Sequence, residues 1–345
     1  MTSPFAKLRI NLMRILVDLP RNLGPAILAI PFLRSLRVNF PSANIYLLIE
    51  EGLSRLFSLL LPEYYQVMRP DLKDIPTLKT AASRLRKMDF DLGILLEDSF
   101  SSALLLYLAR IPQRWGYDRE GRGFMLTKKL RLKVVDPQLH LKDYYLNILK
   151  KLGLKIQDQP VKLELPTAYL RESEASLEAA GLDRAKPIIA LKLGSSYGRS
   201  RIWPVDHQIE LIKILQDNSC QVLLLGSEAS GEISQQIRSR VDGNLVDFCG
   251  RLSLEDLPGY LVKCRLYLGN EGGLIHLANF LGLPVIGLYG PSDPNLCGPV
   301  QPPLTILKKQ VPCAPCSYKN CPYDHRCLIN ISVAEVWAAI SGFLT

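Results

Sequence analysis

A chain of 345 residues, 48% of them hydrophobic, is long enough for two cores of ordinary size and too apolar to stay disordered. No stretch reaches the roughly 18 apolar residues of a membrane-spanning helix, and a start that mixes Lys7, Arg9 and Arg14 with Phe5, Leu8 and Leu12 does not read as a secretory signal, so a soluble, cytoplasmic protein is expected. The net charge of +9 lies wholly in residues 1–150, where 23 Lys and Arg face 14 Asp and Glu; this suits a solvated face, an anionic substrate or an anionic surface, and no helix-turn-helix, RNA-recognition or zinc-finger pattern points to nucleic acid.

Apolar, β-rich runs alternate with helical periodicity nearly from end to end. In the first half, strands are predicted at 14–19, 44–49, 65–68, 92–96, 113–116 and 130–135, with helices at 25–40, 52–60, 77–88, 99–109 and 141–152. Helix 25–40 rests on the spacing of Ile27, Ile30, Leu33, Leu36 and Val38, and Pro25 can open it because an N–H is not needed there. Residues 155–167 hold Pro160 and Pro166 without a helical period and read as a linker, giving domains 1–160 and 161–345. The second series runs helix 168–180, strand 188–193, helix 204–218, strand 221–225, helix 231–241, strand 245–248 and helix 254–263. Strand 266–268, a turn at 269–273, a helix, strand 285–289, a Gly290-Pro291-Ser292-Asp293-Pro294 turn and a final helix at 332–343 complete it. Strands alternating with helices imply an α/β protein of two doubly wound, Rossmann-like domains with parallel sheets covered on both faces. Ligands then belong at the carboxyl ends of the strands.

The segment 266–299 carries the strongest chemical signal. Gly272 and Gly273 open a helix where side chains would block a ligand, so bare N–H groups and the helix dipole suit a diphosphate, and Glu271 beside them suits a sugar hydroxyl. With His276, Asn279 and Gly290-Pro291-Ser292, this order resembles the C-terminal half of glycosyltransferase family 9, the ADP-heptose:lipopolysaccharide heptosyltransferases, whose usual pattern there is N-D-[ST]-G-x-x-H-x-A, a strand, then G-P-[ST]-x-P. The resemblance covers residues 14–344. Leu193-Gly194-Ser195-Ser196-Tyr197-Gly198, Arg201 and Trp203-Pro204 are similar to the family's P-G-x-x-x-G-x-x-K-x-W-P, especially in its heptosyltransferase II branch. Leu225-Gly226-Ser227 and Cys249-Gly250-Arg251-Leu252 fall at its next two strand ends.

The resemblance implies a GT-B architecture, two Rossmann-like domains facing across a cleft. It also implies inverting transfer of heptose or a related sugar from an ADP-sugar to an anionic lipopolysaccharide-core acceptor, on or near the inner membrane, with no cofactor required. Donor binding falls on Ser195, Ser196, Arg201, Gly226, Ser227, Leu252, Glu271, Gly272, Gly273 and His276. Acceptor binding falls on Asn22, Gly24, Arg114, Tyr117, Arg119 and Arg122, whose arginines suit phosphate or carboxylate.

Three positions depart from the family pattern. Arg201 replaces its lysine, Glu271 its aspartate, and Pro25 the aspartate that acts as general base in G-D-x-x-x-x-x-P-x-L-R-x-L. Proline cannot take a proton. Asp98, in Glu97-Asp98-Ser99-Phe100 where the family has P-N-S-F, is therefore either a substitute base or the cap of helix 99–109, and Asp18 is a weaker candidate. The alternatives are a relative that binds a nucleotide sugar without transferring it and a dinucleotide oxidoreductase. No G-x-G-x-x-G follows the first strand to support the latter. All eight cysteines lie after residue 219; Cys313, Cys316, Cys321 and Cys327, with His325 nearby, suit either a Zn²⁺ or iron–sulfur site or reduced thiols.

Overall fold

The computed structural model describes residues 13–132, 138–157, 159–183, 185–243 and 245–344. The chain forms two compact units, Met1–Gln159 and Pro160–Thr345. Among the described residues no helix is long and apolar enough to cross a membrane.

In the first unit, β1 (Arg14–Asp18), β2 (Asn44–Ile49), β3 (Tyr65–Met68), β4 (Leu92–Leu95), β5 (Gln113–Tyr117) and β6 (Lys128–Leu130) form one parallel sheet of order β3-β2-β1-β4-β5-β6. The helices are α1 (Leu23–Leu28), α2 (Ile30–Asn39), α3 (Glu51–Leu60), α4 (Ile75–Lys87), α5 (Phe100–Leu108) and α6 (Leu141–Lys151). Ile15, Leu16, Val17, Leu92, Ile94 and Leu95 are buried because helices cover both sheet faces. Each such side chain contributes roughly 1.5–3 kcal/mol of transfer free energy.

The expected helix 25–40 is two helices. Pro31 has no N–H to give Ile27, so the ladder breaks at Ala29, and α2 restarts with Leu33 N–H on Ala29 O at 3.1 Å. α1 begins at Leu23, which leaves Pro25 inside its first turn. Asp98 does not cap α5; Ser99 does, its hydroxyl accepting from Ser102 N–H at 3.4 Å. The expected strand 130–135 is met only at its start, because β6 ends at Leu130 and residues 133–135 lie outside the described set.

The second unit contains β7 (Ile188–Lys192), β8 (Gln221–Leu225), β9 (Leu245–Asp247), β10 (Leu266–Asn270), β11 (Val285–Tyr289) and β12 (Leu304–Lys308) in the order β12-β11-β10-β7-β8-β9, again all parallel. Its helices are α7 (Thr167–Ala179), α8 (Val205–Asp217), α9 (Gly231–Arg238), α10 (Leu257–Leu261), α11 (Gly273–Phe280), α12 (Pro294–Cys297), α13 (Arg326–Ile329) and α14 (Val333–Ser341). α14 opens with a reciprocal Ser332–Glu335 capping box. Its Val336 and Ile340 join Trp203, Leu211, Leu215, Leu224 and Leu268 in one core. Strand β12, α12 and α13 were not expected. Leu304–Lys308 is a short, half-buried edge strand following Pro302 and Pro303, with no alternation to mark it. Both sheets are doubly wound, and their strand order reverses between β1 and β4 and between β7 and β10. Such reversals open crevices at the carboxyl strand ends.

Candidate functional site

The β7/β10 reversal gathers most of the polar groups of the second unit. Strand β7 ends on Lys192, whose Nζ donates to the carbonyl of Gly194, and no carboxylate pairs with it among the described residues. Burial, reinforced by the Arg201 charge, pulls its pKa from 10.5 down to about 8, with the Cys249 thiol acting the other way. Gly269 on β10 has to be glycine, because a Cβ there would lie 3.0 Å from Lys192 Cβ and 2.6 Å from the Tyr267 hydroxyl. Lys192 went unnoticed in the sequence. Its only signal was one cation inside the apolar run Ile188-Ile189-Ala190-Leu191-Lys192-Leu193.

After β7 the chain turns through Gly194 at φ +64°, where an added Cβ would collide with Ser230. The half-buried Ser195 accepts from Tyr197 N–H at 3.2 Å, and Ser196 is exposed. A 3-10 turn, Arg199–Arg201, follows. The Arg201 guanidinium stacks on the Tyr197 ring, 3.8 Å from its centroid, and its Nε lies 2.8 Å from Glu271 Oε1. Glu271 is 3% exposed, and its other oxygen accepts both the Ser292 hydroxyl and the Ser292 N–H at 3.1 Å. Burial raises its pKa, opposed by Ser292, Arg201 and Lys308. The expectation that Glu271 reaches for a sugar hydroxyl is therefore corrected, since both its oxygens are occupied in holding Arg201 and the Ser292 turn. Glu271 is paired with Arg201, and Lys192 lies near enough to Arg201 to feel its charge.

Strand β10 runs two residues further than expected, through Asn270. Asn270 Oδ1 accepts from Trp203 N–H at 3.3 Å, which ties the start of α8 to the end of β10. Gly272, the residue before α11, is extended, and a Cβ on it would meet nothing closer than the Asn270 carbonyl at 4.0 Å. The side of Gly272 where a side chain would project is therefore uncrowded, and the first N–H groups of the α11 helix that follows carry the positive end of the helix dipole. Gly273 starts that helix, and His276 is buried on it among core residues.

At the end of β8, Gly226 is fixed by close approach: a Cβ would sit 2.6 Å from Ser230 Oγ and 3.1 Å from Cys249 Sγ. Ser227 is exposed and Leu252 half-buried, and Gly250 N–H on Gly226 O at 2.9 Å joins the loops after β8 and β9. A cavity of about 520 Å³ opens beside the Ser195 turn, lined among others by Gly194, Tyr197, Trp203 and His325; Glu271 and Gly272 do not line it.

In the first unit the expected acceptor residues divide. Arg122 is fully buried, with Nε on Tyr117 O at 3.0 Å, Nη1 on Glu97 O and Nη2 on Asp98 Oδ1 at 2.6 Å. Arg114 spends its guanidinium on the carbonyls of Met125, at 2.6 Å, and Ile111, and Tyr117 is buried with its hydroxyl on Tyr144 O at 2.9 Å. These three are corrected to structural roles, because closely spaced arginines in sequence need not share a surface. Arg119 stays largely exposed, 3.6 Å from Asp98, and Asn22 is exposed just before α1, where Gly24 is buried. Both Asp98 oxygens are occupied, one by Arg122 and the other by the Tyr144 hydroxyl. Asp18 is fully buried against Arg69 at 2.6 Å, with its pKa raised by burial, and cannot reach a substrate.

Cys313, Cys316, Cys321 and Cys327 are free thiols. Burial and the three neighbouring thiols push Cys327 up to about 11. Among the described residues no group of three or more His, Cys, Asp or Glu side chains is arranged as a metal site. Their segment instead braces the Arg201 turn: Ser200 N–H donates to Lys319 O at 2.9 Å, Tyr197 OH to Ser317 O at 2.6 Å, and His325 Nε2 lies 2.7 Å from Ser200 O.

Residues 79–326 match the model of glycosyltransferase family 9 (heptosyltransferase). The chain is 28% identical over 308 residues to lipopolysaccharide heptosyltransferase 2 of Salmonella typhimurium, covering 86% of this chain and 88% of that one. Its fold matches the solved structure of Escherichia coli ADP-heptose lipopolysaccharide heptosyltransferase II, with a TM-score of 0.82 and 24% identity over 96% of this chain and 98% of the other. A family 9 glycosyl transferase from Veillonella parvula gives a TM-score of 0.85 at 21% identity, covering 98% of each chain.

Proposed function

We propose that this chain, which belongs to glycosyltransferase family 9 (heptosyltransferase), transfers heptose from ADP-heptose to a lipopolysaccharide-core acceptor with inversion at the anomeric carbon. The observation that carries the reading is the β7/β10 crevice, where the buried Glu271 holds Arg201, Lys192 sits in register beside Gly269, and the uncrowded Gly272 leads into α11. In direct displacement the acceptor oxygen attacks the anomeric carbon as the bond to the diphosphate breaks, and negative charge grows on the departing ADP. Cations and N–H groups fixed in place beforehand stabilise that charge without reorganising. Arg201 is suited to it, being held by Glu271 and Tyr197 with only its Nε committed to the carboxylate. In this reading the chain's own cations meet the diphosphate charge, and no step passes through a metal.

Ser195, Ser196, Gly226, Ser227 and Leu252 are proposed to line the donor side. Arg119, exposed beside Asp98, is the first-unit residue best suited to an anionic acceptor. The basic first half favours a cytoplasmic protein resting on an anionic membrane surface. Incubation with ADP-heptose and a heptose-deficient core acceptor tests the function. ADP release that requires the acceptor is expected; saturable donor binding with no release across an acceptor series would overturn the proposal.

A further inference from the structure

Transfer needs a group to take the acceptor's proton, and the aspartate that family 9 sequences carry at the start of α1 is Pro25 here. In the first unit the strand order reverses between β1 and β4, whose Asp18 and Leu95 are direct neighbours in register. The loops that leave these two strands are therefore adjacent at the carboxyl edge of the sheet, where doubly wound domains bind ligands. The loop after β1 runs through Arg21 into α1, and the loop after β4 carries Glu97 and Asp98.

The two carboxylates are used differently. Asp98 is partly exposed, but both its oxygens are taken, by Arg122 and by the Tyr144 hydroxyl. Glu97 is half-buried and turned toward the other loop: its Oε1 accepts Arg21 N–H at 2.8 Å, and its Oε2 has no hydrogen-bond partner among the described residues. Its backbone is fixed as well, since Arg122 Nη1 donates to Glu97 O. The loop after β4 thus delivers a carboxylate to the segment four residues before Pro25.

We infer that Glu97 is the general base, replacing across the β1/β4 crevice the carboxylate that Pro25 removes. The inference rests on the transferase reading above. Glu97 Oε2 accepts the proton of the acceptor hydroxyl as that oxygen bonds to the anomeric carbon, and the electron pair of the breaking bond leaves on the diphosphate. The Arg21 N–H holds Oε1 and so aims Oε2. The charged and titratable groups around Glu97 are Asp18 at the end of β1, Asp98 and the buried Arg122 on its own side, Tyr145 on α6, and the Arg21 side chain, itself 3.7 Å from Glu50.

The test measures kcat, the KM for ADP-heptose and the pH profile for wild type, Glu97→Gln, Glu97→Ala and Asp98→Asn. Acceptor-dependent ADP release by wild type must be established first; its absence refutes the transferase reading and not the assignment of the base. Glu97→Gln keeps the acceptor for Arg21 N–H and should fold, lose roughly 10²–10⁴-fold in kcat, leave the donor KM within about threefold, and flatten the acidic limb of the profile. Added formate, which restores a carboxylate, should recover part of the Glu97→Ala loss. Asp98→Asn should keep that acidic limb. A Glu97→Gln enzyme within about threefold of wild-type kcat overturns the inference. So does a slow one whose acidic limb is unmoved and whose alanine counterpart formate fails to rescue.

Discussion

Replacing Lys192 with methionine removes a largely buried cation that pairs with no carboxylate among the described residues, and the consequence for stability has a definite sign. In the fold this lysine titrates near 8 instead of 10.5. At ~1.4 kcal/mol per pH unit the charged form is therefore disfavoured by about 3 kcal/mol relative to the unfolded chain. Below about pH 8 both states are protonated and the whole cost is present. Between about 8 and 10.5 the unfolded chain binds more protons, so stability rises with pH and the cost disappears. Lys192→Met also strips the Gly194 carbonyl of its donor, a loss of about 1 kcal/mol. The variant should thus be more stable than wild type by about 1–3 kcal/mol near pH 7 and lose that advantage near pH 10. For a unit of this size each kcal/mol moves the melting temperature by ~2–4 °C. ADP affinity should fall at least about tenfold, equivalent to ~1.4 kcal/mol, because a cation leaves the crevice. Thermal melts at both pH values and titration calorimetry with ADP measure these effects. A variant less stable at both pH values by the same amount would show that Lys192 is not a desolvated charge, and unchanged ADP affinity would show that it is not part of the donor site.

Two further substitutions probe the same unit from opposite sides. Gly272→Ala puts a methyl into the open space before α11 and meets only the Asn270 carbonyl at 4.0 Å; stability should stay within ~0.5 kcal/mol while ADP binding weakens about tenfold or more, as a chemical melt and calorimetry will register. Trp203→Phe deletes the indole N–H that donates to Ile331 O at 2.9 Å in the core. The orphaned carbonyl should lower unfolding free energy by roughly 1–3 kcal/mol, read as a lower urea midpoint at unchanged slope.

The sequence by itself determined the elements and the class. Parallel strands buried on both faces read as near-continuous apolar runs, as in 222–225 and Val285–Tyr289, and hydrophobic periodicity survives without tertiary knowledge. The glycines at 272 and 273 were legible for a local reason, since bare backbone at a helix start is a feature of a few consecutive residues. What only the tertiary structure decided was which charges are spent. Arg114 and Arg122 look like ligands in the sequence and prove to be struts, because their guanidinium groups meet carbonyls of Ile111, Met125, Tyr117 and Glu97 brought close by the sheet. Glu271 lies seventy residues from Arg201 and Glu97 seventy-six from Arg21, so neither pairing has any local signature. Local spacing encodes the backbone path, whereas hydrogen-bond partners and burial depend on chain segments that meet only after strand order is fixed. The loops at a strand-order reversal therefore carry chemistry that no window of sequence contains.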